Sequence, residues 1–303
     1  MSTVFASAAD SRYGYHLVNL VASVHANARD AFDRVVVHDL GLTPHQRSLV
    51  DRLDGVEVRT VPAFSPHWSQ GFTWKPWIWT HLEAQRIFYL DAGATVLRSL
   101  APALDQVRER GYFVVSQRDP LRNIVPSDYY ALYGLDPALA DRTYVAAGII
   151  GLETSGEFWD RVVGTTYEDC LAGRNLGFSA GDLHRNRGLA HEDAAIVRDC
   201  LHFRWDQTLL NIHLALELPD ATLAAYDEYA GVNSTREHPR QVIWAHRMRG
   251  DLRYLKRAPY SGPGAWRLRA FGARQQLRWW FKLHERWFQR ATYEWKLRKL
   301  ASR

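Results

Sequence analysis

Over its first 120 residues the chain alternates short apolar runs with amphipathic stretches, and this alternation constrains the fold more than any other feature. "TVFASAAD" (3–10), "RVVVHDL" (34–40), "VEVRTVPAF" (56–64), "RIFYLDAGATVL" (86–97) and "YFVVSQR" (112–118) read as strands. Between them "YGYHLVNLVASVHANA" (13–28) places Leu17, Leu20, Val21 and Val24 at helical spacing. "TPHQRSLVDRL" (43–53) is a short helix capped by Thr43, with Pro44 in its first position, and "KPWIWTHLEA" (75–84) is a helix opened by Pro76. Strand and helix in turn predict an α/β chain with a mainly parallel central sheet and helices on both faces. Ligands of such sheets bind beyond the carboxyl ends of the strands.

Asp10, Asp39 and Asp91 all fall at or near such ends. Asp91 is the most demanding of them. It follows the apolar run "RIFYL" and has only Ala92 and Gly93 beside it before apolar chain resumes. An unpaired buried charge costs several kcal/mol or neutralises, so Asp91 requires a partner: a hydrogen bond, a cation, a metal or a ligand.

After residue 120 the pattern loosens. "TYVAAGIIGLE" (143–153) reads as a strand and "GEFWDRVVGTTYEDCLAG" (156–173) as a helix. "RNLGFSAGDLHRNRGLAHED" (174–193) is a long polar loop, of the kind that often serves as a lid or an acceptor-binding segment. "WDQTLLNIHLALEL" (205–218) is a helix with Asp206 near its N-cap, and "QVIWAHRMRG" (241–250) a last strand running into a basic loop.

Several chemistries fall away. The first strand-to-helix turn, "ASAADSRYGYH", lacks a G-x-G-x-x-G, and no P-loop, G-x-S-x-G or H-E-x-x-H pattern occurs. Cys170 and Cys200 have no metal spacing and suit reduced thiols in cytosol. No run of about 18 apolar residues predicts a membrane span. "MSTVFASAAD" has no basic n-region, so no signal peptide is expected.

The order of these segments resembles the GT-A-fold glycosyltransferases, particularly the family 8-like nucleotide-diphospho-sugar transferases. The resemblance spans roughly residues 3–250. It rests on a first strand ending in small polar residues, a hydrophobic strand ending in an Asp motif, a "DQ" helix at Asp206 and Gln207, and a late strand carrying His246. It implies a GT-A-like, Rossmann-type sandwich over residues 1–260 and transfer of a sugar from a UDP- or GDP-sugar donor to a glycan or lipid-linked acceptor.

With a donor lying across the strand ends, Ala6, Ser7, Asp10, Lys75, Asp91, Gly93, Arg247 and Lys256 are the candidate donor-binding residues, and Gly148, Glu192, Asp193 and Gln207 the candidate acceptor-side residues. Asp206 is the candidate catalytic carboxylate. Asp91 and His246 match the family's ligands for a divalent cation, Mn²⁺ or Mg²⁺, which would neutralise the departing diphosphate. The family's second aspartate is here Gly93, so Asp91 is also open to binding a ribose or sugar hydroxyl while cations supply the charge. Lys75, at a helix start, suits a docked anion. Arg249 and Arg257 extend the basic loop after His246. The alternative reading is a non-catalytic GT-A-like binding module that lost a metal ligand at Gly93 and recruits partners through its C-terminal segment.

That segment differs from the body. Residues 265–303 hold 11 Lys and Arg against Glu285 and Glu294, a balance of +9, which leaves −4 for residues 1–264. Trp266, Trp279, Trp280, Trp287 and Trp295 lie among the cations, and Leu277, Trp280, Phe281, His284 and Phe288 recur at helical spacing. A basic amphipathic helical tail over 261–303 is predicted to lie on an anionic membrane surface. The expected localisation is cytoplasmic, peripheral on the inner membrane face. The acidic body shows no nucleic-acid module, and no nucleic-acid partner is expected.

Overall fold

The computed structural model describes residues 2–176, 200, 203–230, 240–245, 252–260, 266, 267, 269–275, 277 and 281. Six strands form the central sheet: β1 (Thr3–Ala9), β2 (Arg34–Asp39), β3 (Val56–Thr60), β4 (Arg86–Leu90), β6 (Tyr112–Pro120) and β7 (Thr143–Glu153). Their order across the sheet is β3-β2-β1-β4-β7-β6. β1 pairs in parallel with β2 and β4, and β2 with β3, whereas β7 runs antiparallel to both neighbours. The mainly parallel α/β sandwich read from the sequence is therefore observed, with one reversed strand.

Alternation along β1 divides the interior in two. Phe5 and Ala9 face a core shared with α1 (Gly14–Asn27), α2 (Pro44–Val50) and α4 (Ala101–Arg110). Val4, Ala6 and Ala8 face one built with α3 (Trp74–His81) and the helix α7 (Asp206–Glu217). Successive strand residues point to opposite faces, so a strand covered on both sides must be apolar throughout. The sequence cap of α2 is also observed: Gln46 N donates to Thr43 Oγ1 at 3.2 Å and Thr43 N donates to Gln46 Oε1 at 3.0 Å.

Three local expectations are corrected. The run 86–97 is not one strand: it breaks after Leu90, and Ala94 N donates to Asp91 O at 2.9 Å across a four-residue turn. Beyond the turn β5 (Ala94–Val96) leaves the sheet and pairs antiparallel with β8 (Ile243–Ala245). The expected helix 156–173 is a π-helical segment, Phe158–Gly164, running into α6 (Thr165–Leu171). Among the helices that the sequence reading passed over, α4 and α5 (Ser127–Tyr133) are each ended by a left-handed glycine: Gly111 at φ 82° and Gly134 at φ 61°.

In the tail, residues 266, 267, 269–275, 277 and 281 are helical. Phe271 packs on Tyr15, ring centroids 5.0 Å apart, and a Cβ on Gly272 would lie 2.8 Å from the Lys256 backbone nitrogen. Trp266, Leu277 and Phe281 are exposed. No helix of the described residues is long and apolar enough to cross a membrane.

Candidate active site

The turn that breaks β4 carries Asp91 out of the sheet's carboxyl edge, where its side chain is 48% exposed. Its partner is Lys75. The ammonium lies 3.0 Å from Asp91 Oδ1 and donates to Oδ2 at 3.3 Å, while Tyr89 donates its hydroxyl to Oδ1 at 3.0 Å. Tyr89 stands two residues before Asp91, and positions i and i+2 of a strand share a face.

Lys75 is itself buried, and it serves a second carboxylate: Asp206 Oδ2 is 3.5 Å away, and that side chain is 3% exposed. This is an ion pair at the outer limit of a hydrogen bond, and Asp206 Oδ2 accepts no closer donor. Burial pushes the Asp206 carboxyl up to about 6, against the opposing pull of Lys75 and with a further push from Asp91. For Lys75 burial favours the neutral amine, but the two carboxylates outweigh it and raise its pKa. Burial, then Asp91, raises the Tyr89 phenol, which stays a neutral donor.

The opposite wall is β7. Asp91 N donates to Gly148 O at 2.9 Å, and the missing side chain of Gly148 makes room for the carboxylate. Gln207, next to Asp206 on α7, donates its amide to Val145 O at 2.8 Å, and Asn211 donates to the same oxygen at 3.0 Å. α7 is thereby fixed to β7, with Asp206 at its first turn beside the sheet edge.

Around the lysine lie aromatic rings. Its ammonium is 5.0 Å from the Phe72 centroid and 5.8 Å from those of Trp74 and Tyr89. One cation between two carboxylates, rimmed by aromatic faces and open at Asp91, can hold hydroxyl groups and stabilise a developing positive centre.

Solved structures of glycosyltransferases share this fold. One is a galactosyltransferase, LgtC, in complex with donor and acceptor sugar analogs: 14% identity, 87% of this chain and 99% of that chain covered, TM-score 0.53. An active-site mutant of LgtC gives 15% identity, 88% and 99% coverage, and a TM-score of 0.52. The fold is that of a GT-A glycosyltransferase. The bifunctional glycosyltransferase WbbM matches at 12% identity over 91% of this chain, TM-score 0.54, and the match spans about half of WbbM, 52%. No protein-family model and no curated protein matches the sequence.

Within this GT-A fold, Asp91, Lys75, Asp206, Gly148 and Gln207 come together. Lys75, which its place at a helix start suits to a docked anion, is buried and held by two carboxylates of this chain. Ala6 and Ser7 are fully buried, and Ser7 Oγ donates to Leu90 O at 2.7 Å, bracing the strand that ends in Asp91. Asp10 pairs with Arg12 at 2.6 Å. Gly93 lies in the Asp91–Ala94 turn, partly exposed. Lys256 is exposed in the helical turn Leu255–Arg257, which is held to α1 where Tyr254 N donates to Asn19 Oδ1 at 2.9 Å. Glu192, Asp193, His246, Arg247 and Arg249 lie outside the described residues.

A divalent cation needs several oxygen ligands. Among the described residues no cluster of three His, Cys, Asp or Glu stands close enough to hold one, and both Asp91 oxygens already face an ammonium. The described residues alone do not fit the ion. Tyr89, Phe72 and Trp205 are site residues that sequence reasoning missed. Tyr89 could have been found from its i−2 position, whereas the other two depend on backbone conformation.

Proposed function

We propose that the protein transfers a sugar from a nucleotide-diphosphate donor to a glycan or lipid-linked acceptor. The observation that carries this reading is the Lys75 ammonium held between Asp91 and Asp206 at the carboxyl edge of a GT-A sheet. Asp91, half exposed, accepts hydrogen bonds from hydroxyls of the donor. Asp206 places negative charge behind the reacting centre, where an oxocarbenium-like carbon develops, and holds Lys75 in position. A buried carboxylate suits that electrostatic role better than proton abstraction from an acceptor in open solvent. A divalent cation on the diphosphate would need His246 and diphosphate oxygens to complete what Asp91 begins. Calorimetry with UDP and GDP, with and without Mn²⁺, tests the reading, followed by transfer assays with the nucleotide-sugars of whichever base binds. Absence of binding by every nucleotide and nucleotide-sugar would reject it.

The tail is read as an appendage of this domain that meets an anionic membrane surface, which would bring lipid-linked acceptors to the site. At about 100° per residue, Trp266, Leu277 and Phe281 fall within about 60° of one another around a helix. Phe271 and Gly272, the positions seated on the body, fall on the other side. Arg267, Arg269 and Arg274 are placed to flank the apolar stripe, as in helices that lie in a bilayer interface. Co-sedimentation with phosphatidylglycerol vesicles, and none with phosphatidylcholine vesicles, is the expected result. Equal behaviour towards both would reject the electrostatic part.

A further inference from the structure

Two aromatic residues beside the site hold left-handed backbone: Phe72 at φ 57° and Trp205 at φ 51°. Such a conformation costs a non-glycine residue about 1–3 kcal/mol and persists only where its surroundings enforce it. Both residues lead directly into the site, Phe72 three positions before Lys75 and Trp205 immediately before Asp206. Their rings meet, centroids 5.3 Å apart at 65°, and Trp74 adds a second edge contact to Phe72 at 5.9 Å.

The enforcing contacts are specific. Gly71 is also left-handed, at φ 50°, and a Cβ there would lie 2.4 Å from Leu176 Cδ2 and 3.1 Å from Trp205 Cδ1. Asn175, fully buried, donates to Gly71 O and to Thr73 Oγ1, both at 2.8 Å. All this constraint ends in a phenyl ring left 39% exposed, with the Lys75 ammonium 5.0 Å from its centroid. Packing does not account for holding an apolar ring in a strained backbone at the surface. A ligand would.

The chemistry around the ring selects that ligand. An aromatic face presents negative quadrupole to C–H groups, and carboxylates accept from hydroxyls. Asp91 is half exposed, and the buried Asp206 Oδ2 has only the Lys75 ammonium beside it, 3.5 Å away. Apolar C–H face and hydroxyl edge together describe a pyranose. A nucleotide-sugar donor has charges and a base by which it can be held. A neutral glycan acceptor has only its hydroxyls and its apolar faces, so stacking is the contact that can supply its affinity.

We propose that Phe72, backed by Trp74 and Trp205, is the stacking platform for a pyranose ring of the acceptor. The proposal rests on the glycosyl-transfer reading and deepens its acceptor side. It is tested by saturation-transfer NMR on the full chain without donor, using a panel of neutral methyl glycosides and disaccharides of glucose, galactose and mannose. Wild type, Phe72→Trp, Phe72→Leu and Phe72→Ala are compared. Phe72→Leu keeps apolar bulk without a ring, and thermal unfolding confirms that each variant folds.

Wild type and Phe72→Trp are expected to bind members of the panel, and Phe72→Leu and Phe72→Ala to bind them about tenfold more weakly. UDP and GDP affinities should be unchanged across the set. No saccharide bound by wild type, or equal binding by Phe72→Leu, overturns the proposal. Weakened UDP or GDP binding by Phe72→Leu would make the ring a nucleobase platform and overturn it too. Failure of wild type to bind any nucleotide would instead strike the transfer reading itself, a separate result.

Discussion

Gly148 and Asp91 share one space: a Cβ on the glycine would lie 2.3 Å from Asp91 Oδ2 and 2.8 Å from its Cγ. The carboxylate reaches Lys75 only because β7 presents no side chain there.

Gly148→Ala should therefore expel the Asp91 carboxylate from its ion pair. Asp91 is half exposed and can swing into solvent, so the fold survives with a stability change of about 1 kcal/mol or less. Turnover should fall on the order of tenfold or more, because a small displacement of a positioned group is costly to rate. Urea unfolding beside a transfer assay separates the two effects. A large stability loss with normal turnover of the remaining folded protein would contradict the geometry.

The Asp206 carboxyl, raised to about 6 from 3.8 by burial, gives a signed pH dependence. Between these values the native state binds more protons than the unfolded chain, so this group's contribution to stability falls as pH rises from about 4 to about 6. The difference in stability between wild type and Asp206→Asn should shift in that direction, on the order of 2–3 kcal/mol, and level off above pH 6. Activity that needs the ionised form should show an acid limb near pH 6. Chemical denaturation of both proteins across pH 4–8 checks the sign.

Replacing the cation strands a buried anion. Lys75→Met should destabilise the protein by about 3 kcal/mol at pH 8, where Asp206 is ionised, and by less at pH 5, where it takes up a proton. The double replacement Lys75→Met with Asp206→Leu should cost less than Lys75→Met alone at pH 8. Additive losses would show that the two groups do not interact.

A second buried carboxylate predicts the opposite pH trend. Asp169 accepts from Tyr133 at 2.6 Å, pairs with His213 at 2.8 Å and meets Arg174 at 2.5 Å. Burial pushes its carboxyl up, but the bonds from His213 and Tyr133 prevail and hold it below 3.8. Its stabilisation is present above that value and is lost as pH falls through the lower, native one. Asp169→Asn should cost about 2 kcal/mol at pH 7 and progressively less as pH falls below 3.8, as read from urea midpoints.

The parts of the molecule legible in the sequence are those governed by local pattern. β7 has the bounds its apolar run suggested, and α2 has the cap that Thr43 announces, because period and capping are short-range physics. Asp91 stood out as a charge needing a partner, and it has one. That the partner is a buried Lys75 shared with Asp206 was not legible. It depends on how α3 and α7 approach one strand end, which no spacing encodes. The break after Leu90 was hidden because Asp91, Ala92 and Gly93 fit a strand as well as a turn. α4 was passed over although Ala103, Leu104 and Val107 recur at helical spacing, and the left-handed Phe72 and Trp205 run against every residue preference for that conformation.

The reversed strand β7 bears on how the protein is made. β1, β2, β3 and β4 can pair as soon as they leave the ribosome, but the wall that receives Asp91 is supplied by Thr143–Glu153, and the Asp206 that shares its lysine follows later still. A nascent chain that has emerged only to the end of β6 has a half-built sheet whose last edge is β4's open flank. The carboxylate and the lysine wait, without their full enclosure, until Asp206 emerges 86 residues after Pro120.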